Sequence, residues 1–298
     1  MGINSDRSFG GAFLARRLLA YAWYRTDHPR DAGGLLRPRM PTVPQARPPP
    51  GTAFSGPPPS STGALEREVT CAKCNLRETC LSGGVPVEDL ARVENIVYAR
   101  RRIRRGEHLF TAGDPFRCLY AIRSGFFKTS LVDREGREQV TGFFMSGELL
   151  GMDGLGSGRC AGSAIALEDS DVCAMPYSLI DEIGREVPSL QRRLHSVLAR
   201  EIVRDHGVML LLGSMRAEER LATFLLNLSK RFQRRGYSES EFHLRMTREE
   251  IGSYLGLKLE TVSRVLSAFH AEGLLDVNQR RVRIVSIAGL ERVLAARD

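Results

Sequence analysis

The spacing of apolar and polar residues divides this chain into three patterns. Between residues 90 and 185, short apolar runs are separated by glycine-containing turns about every 8–12 residues, which is typical of a β-sandwich or barrel. The strands that this pattern predicts are Glu107–Thr111, Leu119–Ser124, Phe126–Val132, Val140–Met145 and Ala164–Leu167.

The second pattern is a long helix that Pro188 opens and that contains no glycine until Gly207. Its apolar stripe follows heptad spacing and includes one acid, so it is either an ordinary core face or a dimer seam. The acid, Asp205, favours the seam, because a carboxylate across a two-fold axis faces and repels its own copy. The predicted dimer interface consists of Leu198, Ile202, Asp205 and Met209.

The third pattern is that of a winged helix-turn-helix near the C-terminus. The run Thr247-Arg-Glu-Glu250 is a capping box, and it predicts a helix that ends near Leu255. Gly256 permits a tight turn, and a second helix is predicted over Leu259–Ala271, followed by a small hairpin around residues 277–284.

The second helix of this unit presents three polar residues on one face near its start, since Glu260, Ser263 and Arg264 lie at i, i+3 and i+4. Arginine binds guanine O6 and N7, glutamate accepts from cytosine N4, and serine is adaptable. The alternative is a solvated helix with a Glu260–Arg264 ion pair. The surrounding capping box, turn and hairpin favour DNA reading by a dimer that contacts two half-sites.

Charge and composition add little to this argument. The net charge is +8, but residues 1–63 hold eight Arg and three Asp, so most of the excess lies there. Residues 34–63 contain nine prolines and predict a disordered tail. No apolar stretch is long enough for a membrane-spanning helix, so no membrane partner is expected.

Three of the six cysteines are bunched, as Cys71-x2-Cys74-x5-Cys80. Thiolates at this spacing suit zinc, an iron–sulfur cluster or a redox switch, and the spacing does not separate these possibilities. Both kinds of metal site need a fourth ligand, which must come from Cys118, Cys160 or Cys173.

Several motifs together resemble the Crp/Fnr transcription regulators, and within them the oxygen-sensing Fnr/Anr branch. The resemblance covers about residues 68–290. The motifs that carry it are the cysteine group, Leu119-Tyr-Ala-Ile-Arg-Ser-Gly125, Gln139-Val-Thr-Gly-Phe143, Gly156-Ser-Gly158, Ala217-Glu-Glu-Arg-Leu221, Leu255-Gly-Leu257 and Glu260-Thr-Val-Ser-Arg264.

The resemblance implies an α+β protein in which the middle strands form the double-stranded β-roll of cyclic-nucleotide-binding proteins. The predicted division is a disordered tail (1–63), a cysteine-rich cluster-binding segment (64–89), a β-roll sensor domain (90–187), a dimerisation helix (188–215) and a winged helix-turn-helix DNA-binding domain (216–298).

The resemblance also implies the ligand and its partners. Cys173 matches the fourth ligand of a [4Fe-4S] cluster with Cys71, Cys74 and Cys80, whereas Cys118 is expected to be a small buried hydrophobe and Cys160 is not expected to be a ligand. The expected function is a cytoplasmic, homodimeric, oxygen-responsive regulator. It would dimerise under low oxygen, bind inverted repeats of a TTGAT-like half-site and contact RNA polymerase.

The chain departs from the cyclic-nucleotide branch of the family. Gly147-Glu148 is present, but Cys160-Ala-Gly-Ser-Ala164 stands where that branch has an Arg-Ser/Thr pair for the phosphate, so a cyclic nucleotide is not expected. The alternative function is a Crp-like regulator that senses another small ligand, with structural zinc on the cysteines. No catalytic Ser/His/Asp grouping, phosphate loop or HExxH motif is visible, so an enzyme is not expected.

Overall fold

The computed structural model of the chain describes residues 71–97 and 99–295. The predicted tail (1–63) and the start of the cysteine-rich segment (64–70) lie outside the described residues. No helix within the described ranges is both long and apolar enough to span a membrane.

The described residues form antiparallel strands first and mainly helices afterwards. The strands are β1 (Ala99–Ile103), β2 (His108–Phe110), β3 (Cys118–Ser124), β4 (Phe126–Val132), β5 (Glu138–Met145), β6 (Leu149–Leu150), β7 (Ser163–Ala166), β8 (Ser170–Pro176), β9 (Glu241–His243), β10 (Leu275–Asn278) and β11 (Arg281–Ile284). The helices are α1 (Leu90–Glu94), α2 (Tyr177–Glu186), α3 (Pro188–Ser214), α4 (Ala217–Gln233), α5 (Arg248–Leu255), α6 (Leu259–Ala271) and α7 (Ile287–Ala295).

Two four-stranded antiparallel sheets form the β-roll, with strand orders β1-β8-β3-β6 and β2-β7-β4-β5. Side chains from both sheets make one apolar cluster, which includes Ile122 and Val172 of the first sheet and Phe127 and Ala164 of the second. The roll thus has the β-sandwich character that its short apolar runs and regularly spaced turns predict.

A second apolar cluster joins the cysteine segment to the roll and to the long helix. Leu81 and Val85 of the segment pack with Leu119 of β3 and with Leu190 and Leu194 of α3. All five side chains are buried, so the segment is part of the folded core.

A third cluster runs from the roll into the C-terminal domain. Phe143 of β5 contacts the rings of Phe224 in α4 and Tyr254 in α5, with centroids 5.9 and 5.3 Å away. Leu211, near the end of α3, belongs to the same cluster. The helix-turn-helix is therefore packed against the roll by a continuous apolar core.

A largely buried carboxylate reinforces this junction. Glu148, in the β5–β6 turn, accepts hydrogen bonds from Arg231 of α4 at 2.6 Å and from Arg235, just after the end of α4, at 2.8 Å. The carbonyl of Phe143 accepts from Arg231 and from Arg204 of α3, at 2.7 and 2.6 Å. Arg204, Arg231 and Arg235 thereby hold α3 and the end of α4 against the end of β5 and the turn that follows it.

This arrangement changes the acidity of Glu148. Burial opposes ionisation, but the positive charges of Arg231, Arg235 and Arg204 outweigh it and lower the pKa of the carboxyl group to about 2. Glu148 is therefore ionised at neutral pH and is the counter-ion of the cluster.

The structure agrees with the predicted strands to within one or two residues at each end. It also agrees with the long helix, which begins at Pro188 as predicted and ends at Ser214, and with both helices of the helix-turn-helix. The pattern did not predict α1, α2, α7, β1, β6, β8 or β9, and these elements complete the sheets and cover the second and third cores.

We expect Glu148→Gln to lower the free energy of unfolding at pH 7 by about 3 kcal/mol, because it leaves buried arginines without a counter-charge. The pKa of Glu148 is lower in the folded state than its ordinary value of 4.5, so its stabilisation is present above pH 4.5 and is lost as the pH falls towards about 2. Urea unfolding between pH 7 and pH 3 measures both effects.

The control for this experiment is Glu182→Gln, which removes an exposed carboxylate on α2. This variant should match the wild type at every pH. A Glu148→Gln variant that is as stable as the wild type at pH 7 would contradict the role of the buried charge.

Candidate functional site

The cysteine segment is a run of tight turns. A 3-10 turn over Cys71–Lys73 leads into Cys74, whose backbone N–H donates to the carbonyl of Cys71 at 3.3 Å. The N–H of Cys80 donates to the carbonyl of Leu76 at 2.9 Å. The guanidinium of Arg77 donates to the carbonyl of Val85 at 2.7 Å and closes the loop on itself.

Cys173 lies in the middle of β8, on the roll sheet that faces the segment. Its cross-strand neighbours are Arg100 on β1 and Ala121 on β3. Cys173 and Cys80 pack against the same apolar cluster, the one that includes the first turns of α3. Burial raises the pKa of the Cys173 thiol, whereas a hydrogen bond from Arg100 opposes this increase.

The thiols of the segment influence one another and Cys173. Burial, the Cys80 thiol and the Cys173 thiol are the largest effects that raise the pKa of Cys71 to about 12. Burial raises the pKa of Cys80 to about 11, and Cys173 and Cys74 add to the increase. These mutual effects require the four thiols to lie within electrostatic range of each other.

The four thiols nevertheless do not form a ready-made ligand shell. No group of three or more His, Cys, Asp or Glu side chains in the described part of the chain has an arrangement that could hold a metal ion. All six cysteines are free thiols. The donor chemistry fits a thiolate-bound metal or iron–sulfur cluster, whose binding would require the thiols to lose their protons and draw together.

The other two cysteines lie elsewhere. Cys160 is buried in the core between the two sheets, near Asp153 and Asp114, which add to the effect of burial and raise its pKa to about 11. Cys118 begins β3 and is only half-buried. The prediction that Cys118 is a buried hydrophobe is therefore wrong in degree, because the residue pairs with Pro176 at the open end of its sheet.

The middle of α3 carries an uncovered apolar surface. Ile202 and Met209 are 56% and 60% exposed, and Val203, which the heptad spacing did not single out, is also exposed. Leu198 is partly buried against the second core. Asp205 is exposed among these residues, and partial burial raises its pKa against the effects of Arg204 and His206.

The helix-turn-helix has the local geometry that its sequence predicts. The Thr247 hydroxyl accepts from the N–H of Glu250 at 3.1 Å, and the Glu250 carboxylate accepts from the N–H of Thr247 at 2.7 Å. Gly256 ends α5 at a φ of 62°, where any other residue is strained, and an added Cβ would lie 3.1 Å from Leu212 of α3.

The three candidate reading residues lie in the first two turns of α6. Glu260 and Arg264 are exposed and Ser263 is half-exposed, while Val262, Val265 and Leu266 are buried. Within residues 99–295 there is no ion pair between Glu260 and Arg264, and both side chains are exposed.

Sequence reasoning missed two arginines beside this helix. Arg248, at the start of α5, donates to the Ser263 hydroxyl at 3.3 Å. Arg248 and Arg280, from the turn of the β10–β11 hairpin, line one open recess of about 360 Å³. Only the tertiary packing of hairpin against helix brings them together, although clustered arginines in a helix-turn-helix are a recognisable signal for phosphate binding.

Comparison with known proteins accounts for this combination of roll, long helix and helix-turn-helix. A model described as a cyclic nucleotide-binding domain matches residues 100–186, and a Crp-like helix-turn-helix domain matches residues 219–293. The chain is 45% identical over 224 residues to the transcriptional regulatory protein btr of Bordetella pertussis, a match that covers 75% of this chain and 93% of that protein. The chain belongs to the Crp/Fnr family of transcription regulators.

Other Crp/Fnr relatives support the same assignment. Identity is 44% to the transcriptional activator protein anr of Pseudomonas aeruginosa, over 72% of this chain and 88% of that protein. It is 41% to the fumarate and nitrate reduction regulatory protein of Escherichia coli K12, over 72% and 86%. The structure of FixK2 from Bradyrhizobium japonicum superposes with a TM-score of 0.61 at 30% identity, covering 67% of this chain and 98% of that one. These relatives are regulators, so this Crp/Fnr chain is a transcription regulator and not an enzyme.

Proposed function

We propose that this chain is an oxygen-responsive transcription activator that binds a [4Fe-4S] cluster under low oxygen, dimerises through α3 and binds inverted repeats of a TTGAT-like site. The observation that carries the proposal is the second apolar core. Cys80 and Cys173 pack against this core, which also buries Leu190 and Leu194 of α3. A change at the thiols thereby has a physical route to the helix that presents the uncovered stripe.

The cluster ligands in this proposal are Cys71, Cys74, Cys80 and Cys173. When bound, the [4Fe-4S] cluster would supply the oxygen sensitivity, because oxygen destroys it. The chain supplies four thiols within electrostatic range, two of them on an apolar surface that limits access of water. Cys160, in the core between the sheets, lies in a separate apolar cluster and is not included.

Dimerisation in this proposal buries the exposed stripe of α3. Burial of Ile202 and Met209 favours association, whereas Asp205 opposes it by facing its own copy across a two-fold axis. Both effects are small, because an exposed charge repels weakly in water and two apolar side chains supply only a small interface. Small changes in the packing of α3 can then decide between monomer and dimer.

DNA reading is assigned to the exposed start of α6. Arg264 would bind the guanine and Glu260 would accept from the paired cytosine of the one G·C pair in the half-site, with Ser263 oriented by Arg248. Arg248 and Arg280 would bind phosphates. Since the ligand is DNA and the function is activation, we also propose that the protein acts in the cytoplasm and contacts RNA polymerase.

A cyclic nucleotide does not fit this proposal. Glu148, which follows the family glycine, is already bound by Arg231 and Arg235. The nearby Arg159 donates to the carbonyl of Gly113 at 2.7 Å. Arg159 is thus already engaged, and Cys160-Ala-Gly-Ser-Ala164 stands where the cyclic-nucleotide branch has its phosphate-binding arginine.

The test of the proposal is the visible spectrum, iron and sulfide content of protein purified without oxygen and then exposed to air. We expect a broad visible absorption and about four iron per chain, both lost in air. A colourless protein with one zinc per chain that survives air would support the alternative, a regulator with a structural metal and a different signal.

We expect Cys173→Ser to lose the iron and the visible absorption, because it removes a ligand, and Cys160→Ser to keep both, because Cys160 lies in the core between the sheets. Iron analysis of both variants without oxygen measures the difference. The two variants are matched because each replaces a cysteine with serine. A Cys160→Ser variant without iron would contradict the ligand assignment.

We expect Asp205→Ala to be dimeric in air, because the substitution removes the repulsion and leaves the apolar stripe. Sedimentation velocity of the aerobic protein measures the dimer fraction. The control is His206→Ala, an exposed change at the next residue of the same helix, which should stay monomeric. An Asp205→Ala variant that remains monomeric would refute the proposed role of Asp205.

We expect Arg264→Ala to weaken binding to a duplex with two TTGAT-like half-sites by ~1–3 kcal/mol and to reduce discrimination against a duplex with A·T in place of the G·C pair, leaving only the part that Glu260 supplies. Arg280→Ala should weaken binding to both duplexes equally and make it less salt-dependent, because a phosphate contact carries no sequence information. Fluorescence anisotropy measures both. Equal losses on the two duplexes for Arg264→Ala would contradict its role in base reading.

A further inference from the structure

We propose that Arg193 of α3 is the positioning residue that couples the cysteine segment to the dimerisation helix. This inference rests on the proposed function and deepens it, since it names the side chain through which the state of the cysteines reaches α3. The core contacts described above hold the two elements together, whereas Arg193 fixes their relative orientation.

The guanidinium of Arg193 binds two carbonyl groups of the segment. Its Nε donates to the carbonyl of Cys80 at 3.0 Å, and its Nη2 donates to the carbonyl of Glu78 at 2.7 Å. A planar fork that binds two acceptors has a defined direction as well as a favourable energy. We call these two hydrogen bonds the clamp. One of its two acceptors is the carbonyl of Cys80, whose thiol is a proposed cluster ligand, so the clamp and the cluster would share this residue.

The segment is shaped to receive this side chain. An added Cβ on the buried Gly83 would lie 2.7 Å from Nη2 of Arg193 and 2.6 Å from the carbonyl of Glu78, which no side chain tolerates. The backbone of Gly83 therefore approaches the guanidinium as closely as a residue without a side chain allows. Such a fit restricts the positions that the segment can adopt on the helix.

On α3, the clamp lies just N-terminal to the predicted dimer seam. Leu194 and Leu190, on either side of Arg193, are buried in the second core, and Leu198, five residues further on, is partly buried in the same core. Leu198 is also the first residue of the predicted seam, and Ile202 follows one turn later. Because an α-helix is a stiff element with a rise of ~1.5 Å per residue, a change at Arg193 reaches Ile202 over about 13 Å.

This geometry divides the tasks among the residues. The cysteines bind the cluster, the apolar residues keep the segment folded on α3, and the Arg193 fork converts a movement of the Cys80 backbone into a movement of the helix. Without the fork, the segment should still hold a cluster, but the dimer should no longer respond to it.

The experiment compares Arg193→Ala with Arg192→Ala in the full chain, loaded with the cluster without oxygen. Arg192 is an exposed neighbour on the same helix, so its removal is matched in charge and in helix propensity. We expect both variants to contain as much iron as the wild type. The dimer dissociation constant from sedimentation should rise about ten-fold for Arg193→Ala, because the loaded segment then no longer orients the helix, and should be unchanged for Arg192→Ala.

Two further variants separate positioning from simple loss of structure. Arg193→Lys should give an intermediate dissociation constant, because an ammonium group replaces the charge but not the fork. The double variant Arg193→Ala/Asp205→Ala should be dimeric in air, since Asp205→Ala removes the need for the signal. The proposal would be overturned if loaded Arg193→Ala dimerised like the wild type or if it lost its iron. It would also be overturned if the double variant were monomeric in air.

A measurement on the cluster-free protein keeps this inference distinct from the proposed function. In hydrogen exchange, the amides of residues 76–85 should exchange faster in Arg193→Ala than in the wild type or in Arg192→Ala, because the clamp exists before any cluster binds. Unchanged exchange would overturn the clamp. A wild-type protein that never binds iron and sulfide would instead overturn the proposed function and leave the exchange result standing.

Discussion

The carboxylate of Glu148 is the charge on which the arrangement of the domains depends. Its side chain is 21% exposed, and those of Arg231 and Arg235 are 11% and 6% exposed, so these groups have given up most of their hydration. Charges in such surroundings are tolerated only when each is paired with good geometry. The roll can therefore hold the first helix of the DNA-binding domain in one position, since any displacement would leave charges buried and unpaired.

The same pairing decides what the roll can do. The fold is that of a cyclic nucleotide-binding domain, yet the acidic residue after Gly147 is committed to contacts within the chain. A carboxylate that neutralises two arginines has little capacity left for a ribose hydroxyl. The fold is thus shared with nucleotide-binding proteins, whereas the chemistry at this position serves the junction between domains.

Helix α3 connects the cysteine segment with the helix-turn-helix. Its first turns are buried against the cysteine segment through Leu190 and Leu194, and its last turns join the core of the helix-turn-helix through Leu211. Between these ends, Ile202 and Met209 remain exposed. A helix that is covered at both ends and bare in the middle suits an element whose partner is another copy of itself, and it transmits displacements because its backbone hydrogen bonds keep it stiff.

The strands and helices that sequence reasoning missed share a physical cause. Strand β1 reads Ala-Arg-Arg-Arg-Ile, and three consecutive arginines give no local sign of a strand. Pairing with β8 makes it one, and Arg102 forms an ion pair with Asp169. Strand β8, which carries Cys173, begins with Ser170 and Asp171 and ends in a proline, so its local propensity is weak. Pairing with β1 on one side and β3 on the other makes it a strand, and pairing partners more than 40 residues away leave no local signal.

What the sequence by itself determined are the features whose hydrogen bonds and periodicity are local. The Thr247–Glu250 capping box, the turn at Gly256, the polar face of Glu260, Ser263 and Arg264 and the stripe along α3 each depend on residues within about four positions of one another. Only the tertiary structure decided that Cys173 lies with the cysteine segment, that Arg193 binds the carbonyl of Cys80 and that Glu148 pairs with Arg231. Those contacts join residues about 80 to 115 positions apart, and they arise because burial of three apolar cores brings distant strands and helices together.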